Sequence, residues 1–227
     1  MNVILFGATG MVGQGVLLEC LREPAVERVL VVVRSGTGRT HAKLREIVHG
    51  DLLDLSAIES RLAGFDACFF CLGVSSVGMG EEAYRRVTFD ITLAVAQTLL
   101  RLNPGMAFIF VSGSGADSSG SGPVMWKRIK GLTENALLRL PFKTVAIFRP
   151  GLILPQHGVT SRTRLYRLIY PLLQPFGPLL HAAFPRSVTT TARIGRAMLG
   201  IARNGSPKAI LTNSDINILS QDAKGVL

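Results

Sequence analysis

The stretch Asn2-Val-Ile-Leu-Phe6, followed at once by Gly7-Ala8-Thr9-Gly10-Met11-Val12-Gly13, decides the fold. A short apolar run with adjacent β-branched residues reads as a buried strand. The residues after it carry helical spacing, with Val12, Val16 and Leu17 on one face of a helix over Met11–Leu21. Each glycine at the junction has a physical task. Gly7 permits the tight strand-to-helix turn, Gly10 lets backbone approach a pyrophosphate without a Cβ between, and Gly13 lets the helix pack close on the strand. The N–H groups of Gly7, Ala8, Thr9, Gly10, Met11 and Val12, with the helix dipole behind them, then form a ready anion site. Dinucleotide binding is the expectation, because the motif sits at the first strand-to-helix junction.

Outward from that motif, short apolar runs alternate with helical stretches. Val26–Val33, Leu44–His49, Ala67–Leu72, Ala107–Val111 and Thr144–Phe148 read as strands. Helices are expected near Ser56–Leu62, Glu81–Arg101, Val124–Leu138 and Thr191–Ala202, with a further apolar run at Ala209–Thr212. Strands apolar on both faces and separated by helices imply a doubly wound parallel α/β sheet, a Rossmann fold. Nothing reads as a linker, so residues 1–227 are expected to be one domain, with 151–190 as a substrate-lid segment.

Composition narrows the class. Of the 227 residues, 48% are hydrophobic and 18% charged, enough for a packed core and incompatible with disorder. The net charge is +10, very unevenly spread. Residues 1–117 hold ten basic and twelve acidic groups, whereas 118–214 hold fourteen basic groups and a single acid, Glu134. No nucleic-acid motif accompanies that excess, and no nucleic-acid partner is expected. Three cysteines give no disulfide framework, and the opening residues lack a basic and apolar leader, so a cytoplasmic, reducing setting is expected. Leu168–Pro185 is uncharged but broken by Pro171, Pro175 and Pro178, which argues against a spanning helix. Arg162, Arg164 and Arg167 precede it, so 161–185 is read as an apolar lid, with a peripheral membrane contact or a subunit contact, as in a homodimer, as rival readings.

The G-x-x-G-x-x-G spacing resembles the extended and atypical short-chain dehydrogenase/reductases. The strand that should carry an acid for an NAD ribose ends instead at Arg34-Ser35, with Arg39 nearby and no acid between Glu27 and Glu46. An arginine there can hold a 2′-phosphate, so NADP(H) is expected in preference to NAD. Further likenesses run in order through roughly residues 1–205. They include His49-Gly50-Asp51-Leu52, Leu72-Gly73, Ser112-Gly113-Ser114-Gly115, Trp126 to Glu134, and Phe148-Arg149-Pro150-Gly151. Together they resemble the Tat-interacting-protein-like atypical reductases and bacterial epimerase-like proteins. The resemblance implies that Asp51 and Leu52 lie beside adenine, that Leu72 and Gly73 pass along the cofactor, and that Pro150 and Gly151 turn near the nicotinamide.

The same resemblance implies a Tyr-x-x-x-Lys pair on the helix after the fifth strand and a serine at that strand's end. Lys130 supplies the lysine, for the nicotinamide ribose, and Ser112 or Ser114 the serine. Four residues before Lys130, however, stands Trp126, whose indole N–H donates a hydrogen bond but cannot serve as a general acid. Three readings stay open: cofactor binding without turnover, proton transfer from Lys130, a serine-linked water, Tyr84 or His157, and a substrate that needs little proton assistance. Tyr84, beside Arg85 and Arg86, otherwise reads as part of a solvated helix face. Cys68 and Cys71 read as buried thiols on opposite faces of a strand, and the four histidines show no metal-ligand spacing. The expected function is an NADP(H)-dependent reductase of a small apolar carbonyl or activated alkene; the alternative is a cofactor-bound regulatory or scaffold protein.

Overall fold

A computed structural model of the chain describes residues 1–159 and 186–222. Seven parallel strands form the main sheet: β1 (Asn2–Phe6), β2 (Arg28–Val33), β3 (Leu44–Val48), β4 (Ala67–Phe70), β5 (Ala107–Val111), β6 (Thr144–Arg149) and β9 (Ile210–Thr212). Their order is β3-β2-β1-β4-β5-β6-β9, so the chain winds out from β1 in one direction, returns, and winds out in the other. The reversal between β1 and β4 is the switch point at which such sheets bind ligands. A separate pair, β7 (Leu152–Leu154) and β8 (Val188–Thr190), also runs parallel.

Alternate side chains of each strand feed two cores. Val3, Leu5, Val29 and Val31 pack under α1 (Met11–Arg22) and α5 (Thr191–Asn204). Ile4, Phe6, Leu30 and Val32 face the other side, with α3 (Ile91–Leu102) and α4 (Met125–Leu138). On that second face Phe70 lies 5.6 Å from Phe6, 5.9 Å from Phe108 and 5.9 Å from Phe110, ring centre to ring centre. This is the doubly wound sheet that continuous apolar strands predict. The cysteines divide as the strand period requires: Cys68 enters the α3 and α4 side, and Cys71 packs against the other. Burial pushes both thiols well above their ordinary range.

Three regions differ from the sequence reading. The long helix expected over Glu81–Arg101 is interrupted: α2 (Glu81–Arg85) passes through one π turn (Arg86–Asp90) before α3 begins. The Thr88 carbonyl within that turn takes the Thr92 hydroxyl at 2.7 Å, a side-chain bond that competes with the regular ladder. The segment near Ser56–Leu62 is a 3₁₀ helix over Ser56–Arg61. A final helix, α6 (Asn213–Asp222), follows β9 and carries no strong apolar stripe in its sequence. The lid segment assigned to 161–185, and any membrane or subunit contact through it, lies outside the described residues.

Candidate functional site

The glycine turn is built as its spacing requires. Gly7 has φ of +81°, and a Cβ there would stand 2.6 Å from the Cys71 carbonyl carbon and the Leu72 nitrogen. The Gly7 turn and the exit of β4 therefore touch backbone to backbone, and no side chain fits between them. A Cβ on Gly13 would lie 2.1 Å from the Gly7 carbonyl oxygen, so α1 packs directly on the turn. Gly10 caps α1, its N–H donating to Gly7 at 2.9 Å, and a Cβ on it would meet only the Gly7 carbonyl at 3.4 Å. Ala8 is buried, Val12 packs into the α1-side core, and the Thr9 carbonyl accepts from Gln14 at 3.1 Å. A backbone cradle at a helix N-terminus, with room at Gly10, fits a pyrophosphate.

Arg34 leaves the end of β2 exposed and has no ion pair among the described residues. Its loop is tied down by the acid that follows next in the sequence. Glu46 on β3 accepts the Thr37 N–H at 3.3 and 3.2 Å through its two oxygens, and the Thr37 hydroxyl donates to it as well. The Arg39 N–H in turn donates to Thr37 Oγ1 at 3.2 Å. The Glu46 carboxylate on β3 is thus engaged by the loop that carries Arg34. Asp51 is exposed and accepts the Leu53 N–H at 2.9 Å, while the Leu52 side chain enters the α3-side core. Leu72 is half-buried against that core, and a Cβ on Gly73 would meet nothing within 4 Å.

At the end of β5 the structure separates the two candidate serines. Ser112 is buried and its hydroxyl donates to Glu134, a fully buried carboxylate on α4. Glu134 also receives Arg149 from the end of β6, through Nε at 3.1 and 3.0 Å and through Nη2. Arg149 Nη2 continues to Ser118 Oγ at 2.6 Å. Ser112 is therefore turned into the protein, whereas Ser114 is exposed with its N–H on the Pro150 carbonyl at 2.9 Å. Lys130 and Trp126 close on the glycine between these serines: Lys130 Cε and the Trp126 ring lie 3.8 and 4.0 Å from where a Gly113 Cβ would be. Lys130 Nζ sits 5.6 Å from the Phe110 ring centre. Burial pushes its ammonium down to about 8, against the opposing pull of the Glu134 carboxylate.

The Pro150–Gly151 turn is held from two sides. Gly151 donates to Asn213 Oδ1 at 3.1 Å, and a Cβ on it would lie 2.5 Å from the Ser187 carbonyl. Asn213 Nδ2 is buried and has no hydrogen-bond partner among the described residues, a donor left beside the turn. Two other proton-donor candidates fare differently. Tyr84 is 2% exposed rather than on a solvated face, and burial raises its phenol further. His157 is exposed in a left-handed conformation, φ 57°. Sequence reasoning missed the Ser112–Glu134–Arg149 cluster and the Thr37–Glu46 tie. The first left a signal, since Glu134 is the lone acid of residues 118–214 and stands four residues after Lys130.

A doubly wound sheet with a glycine cradle at its switch point defines a Rossmann-fold dinucleotide-binding protein. The chain belongs to the NAD dependent epimerase/dehydratase family, which residues 3–123 match. It is similar to the Emericella nidulans protein fmp52, mitochondrial, with 31% identity over 161 residues, 68% of each chain. It is also similar to the Rattus norvegicus protein HTATIP2, with 28% identity over 160 residues, 67% of this chain and 63% of the relative. Among solved structures, Bordetella bronchiseptica WbmF in complex with NAD+ superposes with a TM-score of 0.67 at 15% identity, over 99% of this chain and 77% of that one. The fungal relatives are named mitochondrial proteins, which overturns the cytoplasmic expectation.

Proposed function

We propose that the protein is an NADP(H)-dependent reductase of a small apolar carbonyl or activated alkene, with Lys130 carrying the proton that a tyrosine would otherwise supply. The observation that carries this reading is the placement of Lys130: half-buried beside the glycine floor at Gly113, its proton loosened to near pH 8. The other donors fit the role less well. Tyr84 is enclosed, the Ser112 hydroxyl is engaged with Glu134, and Trp126 has no exchangeable acid. In this reading Gly7 to Gly13 cradle the pyrophosphate and Arg34 meets the 2′-phosphate. Asp51 and Leu72 to Gly73 flank the adenosine side, and Pro150 with Gly151 flanks the nicotinamide. Bound NADPH supplies the hydride. Lys130 orients a ribose hydroxyl and hands a proton to the substrate oxygen, which Ser114 and the Trp126 indole N–H can hold. A mitochondrial setting, as named for the fungal relatives, goes with this reading.

Hydride transfer from NADPH across a panel of apolar ketones, enals and quinones tests it. Turnover by the native chain that is lost in Lys130→Met supports the reductase. The second reading, a cofactor-bound protein without turnover, is favoured by Trp126 itself. Tight NADPH binding with turnover only in Trp126→Tyr would establish that reading instead.

A further inference from the structure

Lys130 and Glu134 stand four residues apart on α4, and Arg149 reaches Glu134 from β6. We propose that the Glu134–Arg149 pair is a positioning device for Lys130: it sets the charge the ammonium feels and holds Ser112 and Arg149 turned into the protein. This rests on the functional reading above only in giving Lys130 a task. The burial pattern carries the inference. A carboxylate fully removed from water needs a partner, and both its oxygens are taken by Arg149, with Ser112 on one. Its charge is therefore largely compensated before it reaches Lys130. If either member were neutral, the balance at Lys130 would tip in opposite directions.

The other charges around α4 are engaged elsewhere. Glu81 on α2 takes Arg128 at 2.7 Å, and Asp90 in the π turn lies 3.7 Å from Arg85. Asp117 in the loop over α4 accepts Ser119 Oγ at 2.7 Å and the Gly122 N–H at 2.7 Å. Lys127 is a like charge and leans over the Trp126 ring, 5.7 Å from its centre. Arg86, at the start of the π turn, is exposed. Among these, the Glu134–Arg149 pair is the one in which removing a single charge leaves its opposite partner uncompensated at the carboxylate site one helical turn from Lys130.

The test is the titration of Lys130 in the protein without cofactor, followed by competitive acetylation across pH and mass spectrometry, with Lys127 as internal reference. Glu134→Gln leaves the Arg149 cation facing Lys130 and should move its midpoint down by about one pH unit; Arg149→Gln leaves the Glu134 anion and should move it up by a similar amount. The double variant, neutral again, should return close to the native midpoint. Ser112→Ala, which changes no charge, should leave it in place. Shifts in the same direction, or none, would overturn the proposal. Should Glu134→Gln fail to fold, the Arg149→Gln and double variants decide on the same criterion. Midpoints that shift as expected while NADPH binding is absent throughout would count against the proposed function and leave this inference standing.

Discussion

Trp126 and Lys130 stand one helical turn apart and meet over the same glycine, the indole at 4.0 Å and the lysine Cε at 3.8 Å from the Gly113 Cβ position. Trp126 is the chain's only tryptophan, so its emission reports on the surroundings of Gly113 alone. NADPH binding is expected to quench that emission, with energy transfer to the reduced nicotinamide. Gly113→Val, which places a branched side chain between the two, should weaken NADPH binding at least tenfold while leaving the melting temperature within a few degrees. Quenching in Gly113→Val equal to the native would remove the nicotinamide from this place.

Cofactor preference gives a second expectation. On the proposed reading Arg34, which has no ion pair among the described residues, meets the 2′-phosphate, while Glu46 on β3 stays engaged by Thr37. Arg34→Ala should lose roughly tenfold or more in NADPH affinity with little change for NADH, the worth of one charge-assisted contact. Thr37→Val removes the hydroxyl bond to Glu46 but keeps both backbone N–H bonds, so it should leave the preference close to the native one. Isothermal titration with both nucleotides checks each step; unchanged ratios in Arg34→Ala would sink the assignment.

Lys130 also predicts a stability effect. Its folded value, about 8, lies below the ordinary 10.5 of a lysine, so the folded state disfavours the charged form. Between these values the unfolded chain binds more protons than the folded one, and this group's contribution therefore rises with pH across that window. Below it both states are protonated and the penalty is fully present. Lys130→Met should accordingly stabilise the protein at pH 7 by roughly 1–2 kcal/mol, with the gain shrinking towards pH 10. Urea unfolding at pH 7 and 9.5 measures this, and a destabilised variant at pH 7 would contradict the burial argument.

How much of this was legible follows from range. The glycine turn and the parallel strands depend on local chemistry, and β1 and β5 fall where Asn2–Phe6 and Ala107–Val111 read as strands. Leu52 and Tyr84 were legible only in type: an Asp-Leu pair and a helix-opening tyrosine do not reveal that both side chains turn into the core. The Thr37–Glu46 and Glu134–Arg149 contacts span nine and fifteen residues between different elements, and no periodicity encodes them. The π turn carries a Thr92-to-Thr88 bond across one turn, an arrangement the sequence leaves open among many threonine pairs. The β7–β8 pair joins segments that meet only in space.

Gly131 offers the sharpest packing test, because it lies where loop and helix touch. A Cβ there would fall 1.6 Å from the Asp117 carbonyl oxygen, a backbone atom that cannot swing aside. Asp117 is held in turn by its N–H on the Lys127 carbonyl at 2.9 Å, and the next residue, Ser118, receives Arg149. Gly131→Ala must therefore push the loop off α4 and loosen the Ser118 end of the buried cluster. Overpacking of this kind costs about 1–3 kcal/mol, more than the roughly 1 kcal/mol that alanine gains in a helix. Gly200→Ala on α5 is the matched control: its Cβ would meet only the Leu219 carbonyl at 3.9 Å, an ordinary contact. There the helix gain stands alone, and the variant should be stabilised by about 0.5–1 kcal/mol. Thermal unfolding of the two should move in opposite directions, with Trp126 emission altered only in Gly131→Ala; equal stabilisation by both would show that the loop does not rest on the helix as described.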